Sequence, residues 1–214
     1  MSNKPIFITG IGTDVGKTVV SAVLTEQLNA DYWKPVQAGD LQHTDSQKVG
    51  SLISNSFTFI HPERFKFQLA ASPHKASKEE GIEILLTDFE LPVTENRLLI
   101  EGAGGLFVPL SSNLLIIDLI EKFEAETVLV VRDYLGCINH TLLSIQALIH
   151  RKIALKHVVF NGSFDPDTYN ILVHHLPLGY TYSSVPEFKE LNKASIASLP
   201  PLFEFLMRLN ALQI

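Results

Sequence analysis

Basic charge is scarce in this chain: 17 Lys and Arg stand against 23 Asp and Glu over 214 residues, a net charge of −6. That balance excludes a nucleic-acid groove or an anionic membrane surface as the main partner, because both call for a basic patch. Cysteine is scarcer still. The single Cys137 excludes an internal disulfide and suits a reducing compartment. Otherwise it reads as a small buried or half-buried residue. No apolar run reaches membrane-spanning length, and the N-terminus lacks the basic-then-apolar layout of a signal peptide. The expectation is a cytoplasmic protein with no membrane partner. The eight histidines show no metal spacing: His174 and His175 are adjacent, and no His-Glu-x-x-His occurs. No Ser-His-Asp or Cys-His arrangement is arguable from spacing, and there is no internal repeat, low-complexity tract or linker.

What is present is enough apolar sequence, 46% of residues, for a sizeable core in one globular domain spanning 1–214. "IFITG" (6–10), "YWKPVQAG" (32–39), "RLLIEGAGG" (97–105), "TVLVVRD" (127–133) and "HVVFNGS" (157–163) read as strands closed by turns. Val20, Val23, Leu24 and Leu28 recur at helical spacing after Gly16. Further helices are expected near Asp45–Ile53, near Glu79–Leu86 and over 138–150. Leu202, Phe205, Leu206 and Leu209 predict a last amphipathic helix, with Pro200 and Pro201 suited to its first turn. Strands separated by helix-length connections predict an α/β fold: a mostly parallel sheet with helices on both faces. Ligands bind such sheets at the carboxyl ends of the strands. Lys17, Lys34, Glu101 and Asn161 would converge there, with Asn161 closing the last strand.

The stretch "GIGTDVGKT" (10–18) ends as a phosphate-binding loop does, in Gly-Lys-Thr, but the standard pattern needs a glycine where Ile11 stands. A strand, a loop and a helix starting near Gly16 would aim backbone N–H groups and a positive helix end at one spot. Lys17 would add a charge for phosphate oxygens, and the Thr18 hydroxyl could ligate Mg²⁺. The plain alternative is a tight turn with a solvated lysine. Asp14 is out of place in an anion cradle and better suited to an amine or a metal. Glu101 sits where a hard cation would take an oxygen ligand, and the glycines after it allow close backbone approach. Asp45 is equally a metal ligand or a helix N-cap or first-turn acid. Lys34, between Trp33 and Pro35, is either a solvated strand tip or a neighbour of Lys17, and in the second case two ammonium groups suit a transferring phosphoryl group. "DYLGCINH" (133–140) could place a carboxylate at a helix N-terminus, or merely start a helix with Cys137 and Ile138 packed inward.

"GTDVGKT" (12–18), "KPVQAG" (34–39), "SPH" (72–74), "EGAGG" (101–105) and "LGCINHTLL" (135–143) occur in this order in dethiobiotin synthetases, and the chain resembles that family over nearly its whole length. "FNG" (160–162) and "VPEF" (185–188) resemble the family's nucleotide-base loops. The resemblance implies a P-loop NTPase-like fold and a ligase that uses ATP and Mg²⁺ to make dethiobiotin from 7,8-diaminopelargonate and CO₂. It implies Lys34 and Lys17 at the carbamate and migrating phosphoryl group, with Thr13 and Asp14 at the diamine end. It implies ATP along Asp14, Val15, Gly16, Lys17, Thr18, Val19, Asp45 and Glu101 to Gly104 by way of Gly102 and Ala103. Asn161, Gly162, Pro186, Glu187 and Phe188 would border the base, and Thr18, Asp45 and Glu101 would bind Mg²⁺. Ala38, Gly136, Cys137, Ile138 and Asn139 would lie toward the diamine substrate, the last four across the interface of a homodimer. Ala38 departs from the small hydroxyl residue usual in the family. After Phe188, Glu190 is the candidate for the family's late acidic contact. A non-ligase ATPase of the same variant-loop class, of partition or scaffold type, stands as the alternative.

Overall fold

Ile6–Gly10 is apolar, rich in β-branched residues and buried along its whole length, as a strand covered on both faces must be. It is β1, the central strand of a seven-stranded sheet in the computed structural model, which describes residues 4–202. The chain continues through α1 (Lys17–Leu28), β2 (Asp31–Trp33), β3 (Val36–Ala38), α2 (Asp45–Leu52), β4 (Ile60–His61), β5 (Phe65–Phe67) and α3 (Pro73–Glu79). After a single 3-10 turn at Leu86–Asp88 come β6 (Leu98–Gly105), α4 (Ile116–Lys122), β7 (Glu126–Val131) and α5 (Cys137–His150). β8 (Leu155–Asn161), α6 (Pro166–His175), β9 (Thr181–Val185) and α7 (Lys193–Ala197) complete it.

The strand order is β4-β2-β6-β1-β7-β8-β9, and every pairing between these strands is parallel. From β1 the chain runs out to β2 and β4 on one side and returns at β6. It then runs out along β7, β8 and β9 on the other side. Strand order thus reverses around β1, and the crevice beyond its carboxyl end is where such a sheet takes a ligand. The parallel α/β architecture expected from the sequence is the one observed. Among the described residues, no helix is long and apolar enough to cross a membrane.

Several elements differ from expectation for identifiable reasons. The strand expected over 32–39 is two strands, because Pro35 has no N–H for the ladder. The Pro35 carbonyl instead accepts from the backbone of Arg64 and Phe65, which starts the separate two-stranded sheet of β3 and β5. The helix expected near Glu79–Leu86 lies earlier, at Pro73–Glu79, with Pro73 in its first turn. Gly81, at φ 67°, follows it in a conformation that ends helices. Of the two helix roles open to Asp45, it takes the first-turn one: Thr44 caps α2 in a reciprocal box with Gln47, and Asp45 is the first residue inside. Glu101 lies within β6 rather than at its end, and Asn161 closes β8 while β9 follows it. β4, β5, α4, α6, β9 and α7 were not anticipated. Of the expected last helix, Pro200, Pro201 and Leu202 fall within the described residues and are not helical; Leu202 is buried beside Gln27, and the remainder lies outside them.

Candidate active site

The loop between β1 and α1 turns back hard on its own strand. A Cβ at Gly10 would stand 2.5 Å from the Val15 side chain and 2.9 Å from the Gly12 carbonyl. Ile11 shows why its position needs no glycine. Its side chain is buried and its N–H donates to the Val130 carbonyl at 3.1 Å, which extends the β1–β7 edge by one residue. The tight turn is displaced to Asp14 (φ 57°) and Gly16 (φ 87°). At Gly16 a Cβ would lie 1.9 Å from Asn161 Nδ2, and that amide donates to the Val15 carbonyl at 2.9 Å. The end of β8 therefore clamps the loop from the β7–β9 side.

On the other side β2 and β6 bring three charges together. Glu101 Oε1 accepts from Thr18 Oγ1 at 3.0 Å and from Lys34 Nζ at 3.1 Å, while Oε2 accepts from the Tyr32 hydroxyl at 2.8 Å. Lys34 also lies 2.5 Å from Asp45 Oδ2. Lys17 Nζ donates to the Gly12 carbonyl at 3.0 Å. Lys17, Lys34 and Glu101 are 8%, 5% and 1% exposed, so their mutual interactions are little screened by water.

The lysines respond in opposite directions. Burial pulls Lys17 down to about 8, with Lys34 adding to the depression and Glu101 opposing it. Burial would also depress Lys34, but Glu101 and Asp45 outweigh it and hold its ammonium above the ordinary lysine value. Asp45 is held below the usual carboxylate range: burial alone would raise it, and Lys34 prevails. Burial, then the Glu101 charge, pushes the Tyr32 phenol well above its ordinary value, so it stays a donor.

Lys17, Thr18, Lys34, Asp45 and Glu101 face one cavity of about 720 Å³, which Thr13, Asp14, Gly16, Ala38, Ala103 and Gly104 also line. It lies within the size range of small-molecule sites. Val15 and Val19 turn their side chains inward, so only their backbone is available to a ligand. Gly102 provides room rather than contact, since a Cβ there would meet the Phe7 ring at 2.7 Å. Asn161, Gly162 and Pro186 to Phe188 stand outside the cavity lining, at the ends of β8 and β9. There Glu187 pairs with Arg132 at 2.9 Å, across a Gly162 that has no room for a Cβ. Gly136 to Asn139 form the start of α5 and do not line this chain's cavity; Ile138 faces a second, shallower one against α6. Glu190 is exposed.

Four contributors were missed from sequence. Tyr32 was readable in principle, because two residues apart on a strand Tyr32 and Lys34 share a face. Gln37 is buried and bonds Gly39 and the Asp45 N–H, holding the start of α2 against β3. Ser72 and Lys48 line the cavity without any local pattern that marks them.

The donor set suits a small hard cation. Mg²⁺ takes one or two carboxylates, with water and phosphate oxygens filling its remaining positions. Thr18, Asp45 and Glu101 are all oxygen donors around one end of the cavity. Among the described residues no group of three or more His, Cys, Asp or Glu converges, so a self-sufficient protein cage for a metal is not formed.

Strand order, loop and buried lysine together define a P-loop-type nucleoside-triphosphate-binding α/β protein. The same fold, at 11% identity and a TM-score of 0.59, occurs in a plasmid partition protein from Borrelia burgdorferi B31 bound to AMPPNP, with 99% of each chain covered. A nucleotide-binding protein from Archaeoglobus fulgidus in complex with ADP matches at 13% identity and TM-score 0.51, over 94% of this chain and 91% of that one. A family profile described as "AAA domain" matches residues 4–195. The ATP-dependent dethiobiotin synthetase of Cytophaga hutchinsonii is 46% identical over 202 residues, 94% of this chain and 98% of that protein. The corresponding protein of Christiangramia forsetii is 51% identical over 165 residues, 77% of this chain and 79% of that one. The chain belongs to the dethiobiotin synthetase family.

Proposed function

We propose that this chain is the ATP- and magnesium-dependent ligase that closes the ureido ring of dethiobiotin from 7,8-diaminopelargonate and CO₂. The observation that carries this reading is the pair of buried ammonium groups, Lys17 and Lys34, facing one cavity with Glu101, Asp45, Thr18 and an exposed Asp14. Two anionic groups must meet there: a carbamate and the terminal phosphate, which is transferred to it and later leaves. Asp14 gives a diamine its counter-charge at the same place.

The loop N–H groups from Asp14 to Val19 and the Lys17 ammonium would hold the phosphates at the start of α1. With the acids on the β2–β6 side, the nucleoside extends toward β8 and β9. There Asn161, Gly162, Pro186, Glu187 and Phe188 would border the base. Thr18, Asp45 and Glu101 would hold Mg²⁺, which when bound supplies positive charge to the phosphate oxygens. Thr13, Asp14 and Ala38 border the diamine. One amine adds to CO₂, forming a C–N bond and losing a proton, to give a carbamate. A carbamate oxygen takes the γ-phosphoryl group and ADP leaves. The second amine then attacks the carbonyl carbon, the C–O bond to phosphate breaks, and the ring closes as phosphate and a proton depart. Lys34 has three N–H donors and spends two on Asp45 and Glu101, which leaves one for the carbamate or the migrating phosphoryl group. Holding both amines and the activated carbonyl in one pocket supplies much of the rate.

Gly136 to Asn139 lie away from this chain's own cavity. They would serve the partner's substrate in a homodimer, and the exposed apolar side chains beside them supply a surface for it.

Phosphate release is expected only when diamine, bicarbonate and Mg²⁺ are all present. Lys34→Ala should lower kcat by about 10²-fold or more, the usual worth of a donor aimed at developing charge. Diamine-independent ATP turnover that Lys34→Ala leaves intact would overturn the ligase reading in favour of a partition-type ATPase.

A further inference from the structure

The Glu101 carboxylate uses its two oxygens differently. Oε1 faces the cavity and accepts from Thr18 and Lys34, whereas Oε2 faces the core and accepts from Tyr32. Tyr32 is fully buried, and β2 carries it alongside β6, where it pairs in register with Leu99. Lys34, two residues further on, grips the opposite oxygen. One short stretch of chain thus holds the carboxylate from both sides, with a neutral donor behind it and a cation in front.

A carboxylate that is 1% exposed has little water with which to satisfy a spare oxygen. Without the phenol, Oε2 would lose its hydrogen bond inside the core. The group would then be free to rotate. Rotation moves Oε1, the oxygen available to a cation and to Thr18. Groups behind a metal ligand commonly set its orientation and basicity in this way.

We infer that Tyr32 is a positioning residue for Glu101, fixing the carboxylate so that Oε1 alone is presented to the metal and phosphate end of the cavity. The inference rests on Glu101 as a magnesium ligand, as proposed above. It adds a residue that touches neither nucleotide nor diamine.

Tyr32→Phe tests it, because the ring that fills the core is retained and only the hydroxyl is removed. ATP affinity is measured by calorimetry in Mg²⁺ and in EDTA, and Mn²⁺ affinity in the presence of ADP by electron paramagnetic resonance. In Tyr32→Phe the gain in ATP affinity from Mg²⁺, and the affinity for Mn²⁺, should fall about 10- to 100-fold, the usual cost of losing an outer-shell partner. Affinity in EDTA should stay within about twofold, since the loop and Lys17 are unaltered. A purely packing role would weaken both arms alike. A gain that Glu101→Gln abolishes and Tyr32→Phe leaves at the unaltered value overturns this inference alone. An unaltered protein with no gain from Mg²⁺ overturns the metal reading and the inference with it.

Discussion

Lys17 and Lys34 are buried to nearly the same degree, so burial penalises both ammonium groups and cannot be what separates them. Their neighbours do. Lys34 touches two carboxylates directly, and their attraction exceeds the cost of burial. Lys17 touches only the Gly12 carbonyl and feels Lys34 as a second cation, so it is left near 8. Lys34 is thus a permanent charge, whereas Lys17 gains most from an arriving anion. A bound phosphate restores the Lys17 proton, and above about pH 8 that proton must first be taken from solvent. ATP affinity should therefore be flat up to about pH 7.5 and then fall, with a limiting slope of about one decade per pH unit. Calorimetry in buffers of different ionisation enthalpy would show proton uptake growing over the same range. Lys17→Met should bind weakly at every pH and lose the slope. A slope that survives in Lys17→Met would assign the titration to another group.

At the scale of elements, legibility followed burial periodicity. β1, β6, β7, β8 and α5 are long enough for their apolar pattern to fix them, and each was read within a few residues of where it lies. β4, β5 and the seven-residue α4 are too short to carry a period, and α6 is marked by its Asp165 cap and Pro166 more than by a stripe. The loop chemistry of Lys17 and Thr18 was legible because phosphate binding demands contiguous residues. Tyr32 was not, because its partner Glu101 is remote in sequence, and Gln37 and Ser72 were not, because no local pattern marks them.

Two inter-strand ties make the sheet sensitive to acid. Asp31 opens β2 and accepts from Thr94, Asn96, His61 and the Phe59 N–H. Burial would raise its pKa, but these bonds lower it. His157 joins β8 to β9. The Thr181 hydroxyl donates to the Lys156 carbonyl, so it accepts from Nδ1–H, and Nε2 accepts from Ser183. Burial pulls His157 down to about 4. Both groups have folded values below their unfolded ones. Their contribution is complete above the unfolded pKa and is lost as pH falls toward the folded one. For His157 that window runs from about 6.5 to about 4, worth roughly 3 kcal/mol. Asp31 adds its loss below about 3.9, the unfolded aspartate value. Urea unfolding at pH 7.5 and 4.5 should show the difference shrinking in His157→Gln. An unchanged difference would place the acid sensitivity elsewhere.

For the whole molecule the remaining question is what covers the outer face of α5 and its surroundings. Leu135 is fully exposed, and Leu143, Ile149 and Ile171 are between 39% and 59% exposed. Single exposed apolar residues are ordinary, but this group runs from the start of α5 along that helix and onto α6, and residues 136–139 at that start do not reach this chain's cavity. A twofold arrangement satisfies both facts, because a symmetric contact buries the same patch on each copy and carries each α5 start toward the other copy's site. Sedimentation should accordingly return twice the 23.8 kDa of the chain. Leu135→Glu with Leu143→Glu should shift it to the monomer. The monomer should keep its magnesium-dependent ATP affinity, since the phosphate loop, Lys17 and Thr18 belong to one chain. It should lose diamine-dependent phosphate release, because part of the diamine site would come from the partner. A monomeric variant with undiminished diamine turnover would show that each chain builds its site alone.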